Sequence, residues 1–339
     1  MKVLVTGGLG YIGSHTCVEL SKKYSVVIAD NLVNSKIEVL DRINSISDSK
    51  VIFEKIDLRN KKEVGHLFDK HKDISGIIHF AALKAVGESI EKPLLYYENN
   101  INSLINILEQ VQQLNSKINF IFSSSCTVYG EPLNLPITEE EPIKKAFSPY
   151  GETKQICENI LSASSKLNMN LKSISLRYFN PIGAHESAMI GELPLGKPQN
   201  LIPYITQSVA GVREELTIFG NDYNTPDGTC IRDYIHVTDL ADAHIKALEY
   251  LNQKKSLINE FFNIGTGKGT SVMEIINAFE SSTGKKISFK IGKRRKGDVD
   301  ATYADNKKAL KTLCWSPKYS LEQALKSAWN WEKNYRKIK

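Results

Sequence analysis

The sequence predicts an α/β protein, in which a doubly wound parallel sheet is joined to a smaller, partly discontinuous C-terminal α/β domain. Three observations lead there. The apolar run Lys2-Val-Leu-Val-Thr passes directly into Gly7, Gly10 and Gly13 and then into a helical pattern. Apolar runs and helical patterns go on alternating through the first half of the chain, as they must when helices cover both faces of a parallel sheet. From about Pro181 the alternation gives way to a stretch punctuated by Gly183, Gly191, Pro194, Gly196, Pro198 and Pro203, a loop composition.

In chain order, the first strand ends in a tight turn, and a helical pattern over Tyr11 to Lys22 follows, with Ile12, Val18 and Leu20 as its packing positions. The free N–H groups and positive end of such a helix suit a pyrophosphate, which makes this a Rossmann sheet. A second strand, Val26-Val-Ile-Ala, ends at Asp30. A carboxylate there accepts hydrogen bonds from adenosine ribose hydroxyls and repels a 2′-phosphate, so NAD is favoured over NADP. The alternative is that Asp30 only caps a loop. Further strands are expected at Val51-Ile-Phe, Gly76-Ile-Ile-His-Phe, Phe120-Ile-Phe and Leu171-Lys-Ser-Ile-Ser-Leu, with helices over Lys61 to Lys70, Ile101 to Leu114 and Tyr150 to Lys166. Asp57, Phe80-Ala-Ala and Ser123-Ser-Ser fall just past strand ends. Ligands bind there in such sheets, so these segments are expected to converge on one crevice.

The sheet domain is expected over 1–180 and the smaller domain over 181–339. The boundary is not clean: Tyr234 to His244 reads as a helix and Phe261-Phe-Asn-Ile-Gly as a strand of the first domain, which gives returns near 231–265.

With 339 residues and 41% hydrophobic content the chain can bury one large or two moderate cores. No apolar stretch approaches the roughly 20 residues that cross a membrane, and Met1 leads almost directly into the first strand, so a cytoplasmic location is expected. Cys17, Cys126, Cys157, Cys230 and Cys314 are scattered, odd in number and without C-x-x-C spacing, and the seven histidines show no ligand spacing, so reduced thiols and no metal are expected. His79 and His236 read as structural. The net charge of +6 is modest for this length. The run Lys293-Arg-Arg-Lys296 reads as a solvated basic loop, since no recognition helix or aromatic platform accompanies it to make a nucleic-acid site.

Tyr150 and Lys154 stand four residues apart, on one face of a helix, where an ammonium can favour the ionised phenol and make a usable base. The bland alternative is a surface tyrosine beside a solvated lysine. The glycine turn upstream and the hydroxyl-rich Ser123-Ser-Ser-Cys-Thr127 argue for chemistry.

The glycine turn and the Tyr150/Lys154 pair resemble the extended short-chain dehydrogenase/reductases. Longer segments resemble the UDP-glucose 4-epimerase family within them: Thr6-Gly-Gly-Leu-Gly-Tyr-Ile-Gly-Ser-His15, Ile78-His-Phe-Ala-Ala-Leu-Lys-Ala-Val-Gly-Glu-Ser89, Ser123-Ser-Ser-Cys-Thr-Val-Tyr-Gly130, Arg177-Tyr-Phe-Asn-Pro-Ile-Gly-Ala-His185, Phe219-Gly-Asn-Asp-Tyr223 and Asp227-Gly-Thr-Cys-Ile-Arg-Asp-Tyr-Ile-His-Val237. The resemblance covers nearly the whole chain. It implies that Tyr150 takes the proton of a sugar 4-hydroxyl while hydride leaves C4 for NAD, that Ser125 hydrogen-bonds the same oxygen, and that Lys154 holds the nicotinamide ribose and lowers the phenol's pKa. A 4-keto sugar then turns over and takes the hydride back on its opposite face. It implies NAD contacts at Tyr11, Ile12, Asp30, Asn31, Asn34, Ser35, Asp57, Leu58, Phe80, Ala81, Lys84, Asn99 and Phe179, beside the three glycines, with Lys84 near the phosphates and also toward the substrate. For a UDP-sugar it implies Asn180, Asn200, Leu201, Phe219, Arg232, Arg295 and Asp298. The two arginines suit a diphosphate.

At Thr302, four residues after Asp298, family members carry a bulky tyrosine near the sugar's C2 substituent, and the threonine implies room for UDP-N-acetylhexosamines. A 4,6-dehydratase or decarboxylase would share fold, NAD and Tyr/Lys pair, but the resembling dehydratases carry a carboxylate pair where Cys126 and Thr127 stand. A non-catalytic NAD sensor is the remaining alternative, and such relatives tend to lose the pair that this chain keeps. Ile101, Leu104, Ile105, Leu108 and Val111 are expected either to pair with the helix after Tyr150 in a homodimer, as the resemblance implies, or to cover the sheet.

Overall fold

The computed structural model describes residues 1–114, 116–167, 170–295 and 297–338, so Lys296 of the basic run and the last residue of the second expected domain lie outside the described residues. Parallel strands buried on both faces read as unbroken apolar runs, and β1 (Lys2–Thr6), β2 (Ser25–Asp30), β3 (Ile52–Lys55), β4 (Ile74–His79), β5 (Ile118–Ser125), β6 (Leu171–Tyr178) and β11 (Asn259–Ile264) form one seven-stranded sheet in the order β11-β6-β5-β4-β1-β2-β3. All its pairings are parallel. The order reverses between β1 and β4, which opens a crevice at their carboxyl ends.

Helices α1 (Tyr11–Ser21), α2 (Glu38–Ser47) and, from the second half of the chain, α8 (Val237–Gln253) cover one face, with Val18, Leu20, Ile43, Leu240 and Leu248 packed on Val3, Val5, Ile28 and Ile121. Helices α3 (Lys61–Lys70), α5 (Pro93–Gln113) and α6 (Pro149–Leu167) cover the other, where Leu67, Leu104, Leu108, Val111 and Leu161 pack on Leu4, Ile77, Phe120 and Phe122. Of the five residues weighed for a dimer face, Leu104, Leu108 and Val111 therefore cover the sheet, Ile101 is partly covered, and Ile105 stays exposed. A short helix, α4 (Val86–Glu91), precedes α5.

Beyond residue 180 the strands shorten. Strand β7 (Asn180–Ile182) pairs with β10 (Tyr234–His236), β8 (Leu216–Phe219) with β13 (Phe289–Gly292), and β9 (Ile231–Arg232) lies between β12 (Thr270–Ser271) and β14 (Ala301–Thr302). Helices α7 (Leu201–Val209), α9 (Val272–Thr283) and α11 (Leu321–Arg336) enclose a third core around Ile205, Ile275, Phe279, Leu325 and Trp329, while α10 (Lys307–Leu313) packs beside β11. Tyr234 to His236 is thus a strand, and the helix read there starts at Val237, where the His236 ring accepts from Thr238 N as its N-cap. No helix among the described residues is long and apolar enough to cross a membrane.

Strands β5 and β6 run three residues past the level at which β4 ends, since Phe122 lies opposite both His79 and Ser175 while Ser123 to Ser125 pair with Leu176 to Tyr178. The serines therefore close the strand rather than follow it, and are carried out over the crevice. Beneath them Arg177 Nε and Nη2 donate to Glu158 at 2.9 and 2.7 Å, both side chains buried, and Ser124 Oγ adds a third donor at 2.6 Å. Arg177→Met leaves that carboxylate buried and unpaired, so thermal and urea unfolding are expected to show a loss of about 3–5 kcal/mol, most of it recovered in Glu158→Met/Arg177→Met.

Candidate active site

The turn after β1 is shaped by backbone proximity. Gly7 has φ +66° and donates to Ala29 O at 2.8 Å, and a Cβ on Gly13 would stand 2.4 Å from Gly7 O. Any side chain at Gly13 would therefore push turn and helix apart. Gly10 caps α1 without a side-chain bond and no acidic residue sits in its first turn. The N–H groups at Tyr11, Ile12 and Gly13 thus keep their positive end for an anion.

Asp30, the last residue of β2, accepts from Leu9 N at 3.1 Å, Leu32 N at 2.9 Å and Ser35 Oγ at 2.8 Å. It caps its loop and still has lone pairs for a ribose, so its two readings are compatible. Asn31 Oδ1 accepts from Val33 N, and Asn34 is exposed. Asp57, past the end of β3, is held by Arg59 at 2.6 to 3.2 Å, which keeps its carboxyl below the usual range, and Leu58 beside it is buried. Past β4, Ala81 N donates to Thr6 Oγ1 and Phe80 lies 4.7 Å from the His244 ring. Asn99 bonds Asn100, and Phe179 is buried at the end of β6. His79 shares a 2.8 Å hydrogen bond with Thr6 Oγ1 and is pushed down to about 3 by burial, which fits a neutral structural ring. The fit to a dinucleotide rests on the uncapped helix start, the side-chain-free turn and the carboxylate closing β2.

Helix α6 brings Tyr150, Lys154 and Glu158 to one face by their spacing of four. Ser125, the last residue of β5, lies close enough to Tyr150 to favour its ionised form, and Ser125 Oγ accepts from Thr127 N at 3.2 Å. Lys154 is buried; its Nζ donates to Ser123 O at 2.6 Å and lies 4.9 Å from the Phe122 ring centre and 5.8 Å from that of Tyr150. Burial lowers Lys154 to about 8, against a pull upward from Cys157 and Glu158. Burial also pushes Tyr150 up to about 12, with Ser125 acting the other way. In both groups the loss of contact with water is the largest cause of the shift.

The second half of the chain supplies the opposite wall. Arg232 Nη1 donates to Ile231 O and Val299 O, and its Nη2 stands 3.3 Å from Asp298. Thr302 pairs with Arg232 across β14 and β9. The Arg295 guanidinium lies 4.2 Å over Phe219, which ends β8. Burial raises the Cys126 thiol to about 11, with Arg232 pulling it down and Asp233 pushing it up. Asn180 opens β7 and Asn200 caps α7, with Leu201 as its first residue. Lys84 and Asn200 both donate to Glu192 Oε1, at 3.0 and 2.7 Å, and Tyr11 Oη donates to Gly183 O at 2.7 Å. Sequence reasoning missed Glu192 and Glu158. Glu158 could have been found by extending the spacing of four past Lys154; Glu192 sits in the loop-rich stretch, where no periodicity marks it.

The two titrations set opposite stability windows. Lys154 ionises lower folded than unfolded, so its burial penalty is fully present below about 8 and fades as pH rises to the unfolded value of 10.5. Tyr150 ionises higher folded, so its contribution is present below 10.0 and lost as pH climbs through about 12. Lys154→Met is therefore expected to be more stable than the cofactor-stripped wild type at pH 7, by about 1–3 kcal/mol. Thermal scans at pH 8, 9 and 10 are expected to show the gap closing.

A model of the family described as GDP-mannose 4,6 dehydratase matches residues 4–328. The chain is 48% identical over 336 residues to UDP-glucose 4-epimerase 2 of Arabidopsis thaliana, covering 98% of this chain and 95% of that protein. It superposes with TM-score 0.95 on a UDP-glucose 4-epimerase from Stenotrophomonas maltophila with bound NAD and formylated UDP-arabinopyranose, at 43% identity over 100% of both chains. A Bifidobacterium longum UDP-glucose 4-epimerase in complex with NAD+ and UDP gives 0.94 at 42% identity over 99% of both. With a tyrosine, a serine and a buried lysine at the carboxyl edge of a dinucleotide-binding sheet, and likeness at this level along its whole length, the chain belongs to the UDP-glucose 4-epimerase family.

Proposed function

We propose that this protein inverts C4 of a UDP-hexose, interconverting UDP-glucose and UDP-galactose through a transient 4-keto sugar on a resident NAD. The observation that carries the reading is the Tyr150 phenol beside Ser125, with the buried Lys154 ammonium 5.8 Å from its ring centre and anchored on Ser123 O. Bound NAD supplies a hydride acceptor that returns the same hydride, and it rests in this reading on Gly7, Gly10, Gly13 and the start of α1, with its adenosine ribose at Asp30. Tyr150 takes the proton of the 4-hydroxyl, and Ser125 hydrogen-bonds the same oxygen and passes the proton. Lys154, still mostly charged at neutral pH with a pKa of about 8, stabilises the phenolate as it forms. Arg232 and Arg295 present forked donors to a diphosphate, with Arg232 oriented by Asp298.

In the same reading, 1–180 with the returns near 231–265 holds NAD and 181–339 holds the nucleotide sugar. The pairing of β10 with β7 and of β11 with β6 supports that interleaving. A homodimer would use exposed Leu94 and Ile105 on α5 with half-buried Ile156 and Ile160 of α6. Cytoplasmic placement is part of this proposal. Cys126 and Thr127 stand where elimination chemistry asks for acids, which favours epimerisation over dehydration.

Purified protein given UDP-galactose and no added NAD is expected to form UDP-glucose, and absence of product overturns the reading. Tyr150→Phe is expected to lower kcat at least about a hundredfold while the protein keeps its NAD. Near-normal turnover in that variant would remove Tyr150 from its role. Thr302 leaves more room than tyrosine, so the wild type is expected to epimerise UDP-N-acetylglucosamine as well, and Thr302→Tyr to lose that activity while keeping UDP-glucose turnover. Equal loss on both sugars would show that volume at this position is not the determinant.

A further inference from the structure

The last two turns of α11 carry a cluster that the chemistry above does not use. Trp331 and Tyr335, one turn apart, have ring centres 5.2 Å from each other. Two cations from the other half of the chain cover them. Arg42 on α2 lies 5.5 Å from the Trp331 ring and 5.7 Å from the Tyr335 ring, and its Nη1 donates to Met189 O at 3.1 Å. Lys36, directly after the loop 31–35, donates from Nζ to Tyr335 Oη at 3.1 Å and lies 5.8 Å over that ring. The helix is also fixed in the third core: Leu325 and Ala328 are buried there, and Trp329, two residues before Trp331 and turned away from it, packs edge-on against Phe279 at 6.2 Å. A rigid helix thus reaches across to a loop belonging to the sheet.

The loop it reaches is the one that follows Asp30. Its conformation is set by Asp30 bonds to Leu32 N and Ser35 Oγ, with Leu32 in the left-handed region at φ 65°. A loop so placed has few buried contacts of its own and opens readily unless tied down. The same helix also governs the sugar side. Trp331 Nε1 donates to Glu192 O at 3.2 Å, its ring fills the space where a Cβ on Gly191 would stand 2.4 Å away, and Asn334 Nδ2 donates to Ala188 O at 2.7 Å. Glu192 is the carboxylate on which Lys84 and Asn200 converge.

We propose that Trp331 and Tyr335 form a clasp that retains the dinucleotide, holding the ribose-side loop through Lys36 and Arg42 and the Lys84/Asn200 side through Glu192. This rests on the assignment of Asp30, Asn31, Asn34 and Ser35 to the cofactor. These are positioning residues that act through the loop and touch no reacting atom. Two consequences distinguish the clasp from ordinary packing. Loosening it speeds cofactor release without altering chemistry in the loaded enzyme, and, because coupling between two sites is reciprocal, bound NAD must in turn steady the end of α11.

The test measures exchange of bound NAD for isotopically labelled NAD in the purified, NAD-loaded enzyme. Tyr335→Leu and Arg42→Met are each expected to speed exchange about tenfold, which corresponds to about 1.4 kcal/mol, with kcat in excess NAD within about twofold of wild type. Tyr335→Phe keeps the ring and loses only the Lys36 hydrogen bond, so it is expected to fall between. Trp329→Phe, on the core side of the same helix, is expected to lower Tm and leave exchange unchanged. Hydrogen exchange of the unmutated protein, loaded against stripped, is expected to show amides of residues 331–336 slowed by NAD. The clasp is overturned if the Tyr335 and Arg42 variants exchange at the wild-type rate, if Trp329→Phe speeds exchange as much as they do, or if NAD leaves the 331–336 amides unprotected. A wild type that takes up no NAD overturns the cofactor assignment itself.

Discussion

Taking a lysine ammonium out of water costs several kcal/mol unless its donors are met and an opposite charge lies near. Lys154 meets the first demand with Ser123 O at 2.6 Å and the face of Phe122 at 4.9 Å, and the second with Glu158 one turn further along α6. Glu158 is itself buried, and so requires Arg177 and Ser124. Arg177 is stacked in turn, 4.9 Å from Tyr129 and 4.5 Å from Phe261 of β11. One buried charge at the reacting edge thus commits β5, β6, α6 and a strand from the far end of the chain to a fixed arrangement.

That commitment explains why β11 joins the sheet at all. A sheet ending at β6 would leave Arg177 and its carboxylate at an edge open to water, where an ion pair contributes little. With β11 laid against β6 the pair lies in a dry layer behind the site, and Tyr129 Oη, which accepts from Arg177, donates to Asn263 of that strand at 2.7 Å. The strand that returns from late in the chain thus seals the back of α6.

Regular periodicity made the sheet legible. Lys61 to Lys70 is the helix expected, and the strands at Val26, Gly76 and Phe120 differ from expectation only at their ends. Short elements were not legible: β7, β9, β10, β12 and β14 are two or three residues each, and their partners are distant in sequence. The same limit applies to the site. Gly7, Gly13, Asp30, Tyr150 and Lys154 are tied to local motifs whose geometry follows from spacing. Glu192 acquires its meaning only when Lys84, 108 residues away, and Trp331, 139 residues away, fold onto it. Spacing likewise reveals the lysine beside Tyr150 but not that Lys154 is buried.

Loss of contact with water also bears on how the pair ionises. With Tyr150 held near 12 and Lys154 near 8 in the protein alone, the pair at neutral pH is a neutral phenol beside a mostly charged ammonium, the state with a single buried charge. Forming the phenolate adds a second charge beside the first, favourable only when positive charge is close enough to offset its desolvation. Lys154 lies 5.8 Å from the ring centre and is anchored to Ser123 O, so it cannot approach further without breaking that bond. In the reading proposed for this pair, the remaining stabilisation of a phenolate would come from the bound ligands.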